Sequence, residues 1–127
     1  MRLHVKSVDV EGAQRAAERA SAAALGVTAE NVKSDTRPYV PFETGALQGS
    51  ARTWVGADGD RAYLEYGGDG ATGEYAREQY YNPHNHGTKQ NALHAPKASD
   101  HWFERSKADN KERWAKMHAA EMRRHLS

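Results

Sequence analysis

Apolar side chains recur at helical spacing over residues 10–25, where Val10, Ala13, Ala17, Ala20 and Ala24 share a face with Ala16 and Ala23 beside them. The predicted helix has a buried face made almost wholly of alanine, which lets a neighbouring element approach closely and supports the helix by propensity where packing is weak. Gly26 ends or weakens this helix, with Thr28 placed to cap a further turn or two through Ser34, and Pro38 stops it in either case. Between Thr36 and Pro41 two prolines flank Tyr39 and Val40. Each disfavours helix at the residue before it, so an extended segment is expected there.

From Ser50 the period changes to two. The runs Ser50–Ala57 and Arg61–Tyr66 lie on either side of Asp58-Gly59, a hairpin signal. Trp54 shares a strand face with Arg52, and Val55 shares the other with Thr53 and Ala51; in the second run Tyr63 and Glu65 oppose Leu64 and Tyr66. Neither face is cleanly apolar, which points to a sheet used on both sides. Gly67, Gly68, Gly70 and Gly73 mark a flexible loop. Residues 74–81, EYAREQYY, read as strand because three tyrosines favour a pleated surface, a short helix being the alternative. Residues 82–98 crowd Asn, Gly, Pro and His with few apolar anchors and read as a long loop. Ser99 or Asp100 then opens a final helix with the stripe Trp102, Phe103, Ser106, Asn110, Trp114 and Met117. Beyond Met117 the stripe fades into Glu121, Arg123 and Arg124, so the last turn reads as a solvated or partner-facing tail.

Composition narrows the picture. At 127 residues the chain suits one domain (1–127), divided into an N-terminal helical region (1–36), sheet and loops (37–98) and a C-terminal helix (99–127). There are 21 alanines and no isoleucine, and Val, Leu and Phe together supply only 15 side chains. With a formal net charge of only +1 the chain is expected to fold, but around a thin core that needs a metal, a disulfide or a partner subunit to complete it. The absence of cysteine removes disulfides, thiolate zinc sites and thiol nucleophiles, and fits assembly inside the cell. No apolar run reaches signal-peptide or membrane-span length, so no membrane role is expected.

The strongest chemical candidate is the histidine loop. The loop runs through His84, His86, His94 and His101 with Asp100 beside the last; His84 and His86, two apart on extended chain, point the same way, and His94 or Asp100 would close a metal site, giving an alternative reading as a metal-binding module or metal-dependent enzyme. The tripeptide His84-Asn85-His86 lacks the ββα context of the nuclease motif it is spelled like. Ser50, Ser99 and Ser106 sit in none of the recognised nucleophile turns, and no phosphate-cradling loop with a following lysine is present. Cations of the last helix, Arg105, Lys107, Lys111, Arg113 and Lys116 among them, would suit nucleic-acid phosphates. The interspersed Glu104, Asp109, Glu112 and Glu121 instead suit intrahelical pairs.

Three blocks carry a family resemblance. Tyr39-Val40-Pro41-Phe42-Glu43-Thr44-Gly45-Ala46-Leu47-Gln48-Gly49-Ser50 resembles a recurring stretch of tailed-bacteriophage proteins: a proline-initiated turn, an acidic residue, Thr-Gly, then Leu and Ser. Glu74-Tyr75-Ala76-Arg77-Glu78-Gln79-Tyr80-Tyr81 resembles the second block of the same group, and Ala98-Ser99-Asp100-His101-Trp102-Phe103-Glu104-Arg105-Ser106-Lys107 its C-terminal helix start. The blocks occur in order over most of residues 36–115. The family is that of siphophage minor capsid or head-tail connector proteins, related to the neck and tail-completion group; the Gly-rich segment 67–73 and the His-rich loop 82–94 depart from its pattern.

The resemblance implies an α+β subunit, with an N-terminal helix, a small curved antiparallel sheet and a C-terminal helix packed on it. It implies no enzymatic role and no cofactor, but a virion structural protein that forms a sixfold homo-oligomeric ring at the neck and is assembled in the bacterial cytoplasm. Neighbouring connector or adaptor proteins and tail-terminator or tail-tube proteins would be its partners, with passive contact to DNA in the channel. Fold-shaping or subunit-interface candidates are Tyr39, Phe42, Thr44, Gly45 and Leu47 on an arm fixed by Pro38 and Pro41. Trp54 of the hairpin, Tyr75 and Arg77 of the second block and Trp102 of the third complete the set.

Overall fold

The computed structural model describes residues 1–5, 18–42, 45–57, 59–68, 71–81 and 93–126. In chain order these form β1 (Arg2–Val5), α1 (Glu18–Thr36), a 3-10 turn (Arg37–Tyr39), the one-turn helix α2 (Ala46–Gly49), β2 (Arg52–Val55), β3 (Ala62–Glu65), α3 (Ala71–Tyr81) and α4 (Trp102–Leu126). The α+β class with a helix at each end of an antiparallel sheet is the architecture expected.

The hairpin forms where Asp58-Gly59 placed it. β2 and β3 pair antiparallel in the register Arg52↔Glu65, Thr53↔Leu64, Trp54↔Tyr63 and Val55↔Ala62, and Gly59 adopts φ +69° in the connecting loop. β1 pairs with the other side of β3, giving the order β1-β3-β2, and the Met1 and Tyr66 backbones extend that pairing by one residue. The central strand is more buried than β2, with Ala62 and Leu64, and Tyr66 just after it, in the core beside Leu25, Ala29 and Val32 of α1.

α1 and α4 run antiparallel. Ala24 packs on Met122, the Thr28 hydroxyl lies 3.1 Å from His118 Nδ1, Asp35 accepts a 2.8 Å bond from Trp114 Nε1, and Thr36 pairs with Ser106 at 2.8 Å. Small residues on both helices permit this approach, and their hydroxyls satisfy one another where water is excluded.

Several expectations are corrected. The N-terminal helix does not end at Gly26 but continues unbroken to Thr36; its predicted start at residue 10 lies outside the described residues. Thr36–Pro41 is not extended throughout: Pro38 sits in the first turn of a 3-10 helix, where its missing N–H costs nothing, and extended backbone begins only at Val40. Residues 74–81 are helix rather than strand. Gly73, Ala76, Gln79 and Tyr80 are the buried positions, a spacing of three and four that a strand does not give. Gly73 belongs to this helix and not to a loop, and it must be glycine because a Cβ there would collide with the Gly68 carbonyl; the turn beneath it uses positive φ at Gly67 and Gly68. The stripe of α4 does not fade after Met117 but runs on through buried His118 and Met122. β1 thus comes from the region expected to be helical, and α3 lies in the region expected to be sheet and loops.

Candidate functional site

The segment that carries the first family block is built into the core. The Tyr39 ring is buried and its hydroxyl donates to the Asp109 carboxylate of α4; burial first, then that bond, push the phenol pKa up to about 12. Lys97 Nζ stands 5.3 Å from the Tyr39 ring centroid, and the backbone N–H groups of Lys97 and Ser99 donate to the carbonyls of Pro38 and Tyr39. The arm therefore does not present Tyr39 to a partner. A 3-10 turn following α1 directs it inward, where its hydroxyl finds an acceptor.

Gln48 organises the rest of this segment. Its Nε2 lies 3.1 Å from each of three carbonyl oxygens, those of Arg37, Val40 and His94, so two amide hydrogens serve three acceptors from two stretches of chain. Gly45 adopts φ +86°, and a Cβ there would approach the Phe42 ring to 2.8 Å, so the turn requires glycine twice over. Phe42 is half-buried and stacks on His94 with centroids 4.2 Å apart. Leu47 is buried in the core; Thr44 lies outside the described residues.

The hairpin register creates a second cluster on the sheet face opposite Ala62 and Leu64. Trp54 and Tyr63 stack at 5.2 Å, Arg52 lies 4.7 Å above the Trp54 ring, and the Arg52 guanidinium pairs with Glu65 at 2.8 Å. Trp54 and Tyr63 are only half-buried, so this aromatic and cationic ladder keeps part of its area at the surface. Trp102, by contrast, is fully buried, edge-on to Tyr66 at 5.5 Å and to Tyr80 at 4.7 Å. Tyr75 packs against the core from α3, and Arg77 is exposed. The structure thus divides the predicted residues. Tyr39, Leu47 and Trp102 hold the fold, Gly45 shapes a turn, and Trp54 and Arg77 reach the surface.

A family model described as minor capsid protein matches residues 4–122. The chain belongs to the minor capsid protein family. It is accordingly a structural component of the phage virion, and the match spans the arm, the hairpin and both long helices that the geometry ties together. No match was found among curated proteins or among solved structures.

In this minor capsid protein the histidines named as metal candidates do not converge among the described residues, where no group of three His, Cys, Asp or Glu side chains is placed to hold an ion. His84 and His86 lie outside those residues. His94 is taken up in the stack with Phe42, and His101 sits between Tyr80 and Tyr81, its Nδ1 3.5 Å from Asp100. Arg105 donates to Asp100 and holds its carboxyl below the usual carboxylate range. Among the described residues no helix is long and apolar enough to cross a membrane.

Sequence reasoning missed Gln48, Tyr63 and the Arg52–Glu65 pair. For the last two a signal existed: fixing the turn at Asp58-Gly59 sets a register that places Trp54 opposite Tyr63 and Arg52 opposite Glu65. Gln48 had none, because its role depends on which carbonyls the fold brings together.

Proposed function

We propose that this minor capsid protein acts at the phage neck, as a homo-oligomeric ring that joins the DNA-filled head to the tail, with a structural and not a catalytic role. The sequence blocks shared with head-tail connector proteins support the position. The observation that carries assembly is the sheet: three strands of four residues each, with β1 and β2 as its outer strands and a ladder of Arg52, Trp54 and Tyr63 on one face. Outer strands present backbone donors and acceptors to a neighbour, and a core with so few large aliphatic side chains gains from burial between subunits. Sixfold symmetry matches the ring to a tail of that symmetry, with connector or adaptor proteins on one side and tail-terminator or tail-tube proteins on the other.

An early stop codon in the gene, followed by electron microscopy of the particles produced, tests this reading. Filled heads beside separate, unattached tails are expected. Intact infectious particles would overturn it.

A further inference from the structure

A cleft of about 220 Å³ opens where the C-terminal end of α1 meets α2 and the end of β3, and it is walled by Lys33, Ser34, Arg37, Gln48, Gly49 and Tyr66. No acidic side chain lines it. Lys33 is held at its rim by Glu30 at 2.9 Å, whereas the Arg37 guanidinium has no ionic partner among the described residues. Tyr66 is 1% exposed, and its hydroxyl is buried without a hydrogen-bond partner among the described residues. Burial raises the Tyr66 pKa and the positive charge of Arg37 acts against that rise, so the phenol stays protonated, a neutral donor within the field of an unpaired cation.

A buried donor without an acceptor is costly, and Arg37 stands at a concave surface with no lining carboxylate to compensate it, Lys33 being paired with Glu30 at the rim. One group relieves both conditions. We propose that this cleft binds a small oxyanion, of the phosphate or carboxylate type, through Lys33, Arg37 and the Tyr66 hydroxyl. Arg37 offers a planar fork suited to two oxygens, Lys33 a point charge at the rim, and Tyr66 a donor for an oxygen seated deepest. The negative end of the α1 dipole lies nearby and opposes an anion, but it amounts to about half a charge against the full charge of Arg37. The site stands independently of the ring reading, since it rests on residues of one chain.

The test is a titration of the full chain with inorganic phosphate and, separately, acetate at constant ionic strength, read by NMR at the side chains of Arg37 and Lys33 and by the thermal midpoint. Saturable shifts at these groups and a rise in midpoint are expected. Saturation by phosphate alone assigns a phosphoryl group or free phosphate, saturation by acetate alone a carboxylate, and saturation by both an oxyanion site without preference between them. Arg37→Gln, at an exposed side chain, is expected to weaken binding at least tenfold. Tyr66→Phe distinguishes a ligand donor from a merely orphaned group. It should raise the midpoint without phosphate, by removing the unpaired hydroxyl, yet shrink the further rise that phosphate gives. Shifts that grow linearly without saturating, or an undiminished phosphate response in both variants, would overturn the proposal.

Discussion

Two glycines show how far residue chemistry was readable. At Gly45 the Thr-Gly step announced a turn that a Cβ would forbid, and the backbone there has φ +86° with the Phe42 ring against it. Gly45→Ala is expected to cost about 1–3 kcal/mol, from the left-handed backbone and the displaced ring together, measured as a fall in the urea midpoint at unchanged slope. Gly26 looked like a helix terminator yet lies within α1, where a Cβ would rest 3.8 Å from Val55 Cγ2, an ordinary contact. Gly26→Ala should therefore stabilise by about 1 kcal/mol and raise the thermal midpoint by roughly 4 °C; no change or a loss would mean that the helix needs glycine there. The difference was not legible because sequence shows a glycine's permissiveness but not whether the fold uses it. Gln48 makes the same point: its type implied nothing, and only tertiary structure brings the carbonyls of Arg37, Val40 and His94 to one amide.

Among the elements, the hairpin and the first half of α4 were legible because their signals are local: a turn dipeptide between alternating runs, and an aromatic stripe at helical spacing. α3 was not. Its tyrosines favour strand by intrinsic preference, and the weaker spacing of Gly73, Ala76 and Tyr80 decided the outcome once tertiary packing was available. The second half of α4 escaped because its buried position is a histidine. His118 is fully buried between α1 and α4, with Thr28, Ala24 and Met122 around it, and its Nε2 is without a partner among the described residues. Burial lowers its pKa from the ordinary 6.5, and the Ala24 carbonyl pulls more weakly the other way. The unfolded chain then takes up the proton more readily than the folded one. Stability from this site is full above about pH 6.5 and declines as the pH falls through and below that value. His118→Leu, which keeps the site filled, should flatten the decline in unfolding midpoint between pH 7 and 5. A variant with the same slope as the parent chain would place the pH dependence elsewhere.

At the scale of the whole molecule, the order helix, hairpin, helix followed from signals along the chain, while the α+β class came from the family resemblance, which the match over residues 4–122 bears out. The third strand was invisible because β1, unlike β2 and β3, has no turn dipeptide joining it to a neighbouring run and is defined only by its pairing with the distant β3. The two outer strands and the Arg52–Trp54–Tyr63 ladder are the surfaces on which the ring reading depends. Trp54→Ala should leave the α1–α4 core intact, because the ring lies on the opposite sheet face, and lower incorporation into particles more than it lowers the unfolding midpoint. Equal losses in both would mark Trp54 as a core residue only.

The account turns on position in the virion, and a cryo-electron-microscopy reconstruction of the neck, computed with the symmetry of the tail, tests it most directly. The antiparallel pair of α1 and α4, with the sheet packed against α1, is predicted to fit density between head and tail as a closed ring of six copies. Density for the chain on the capsid shell away from the portal vertex, or a neck fully accounted for by other chains, would contradict it.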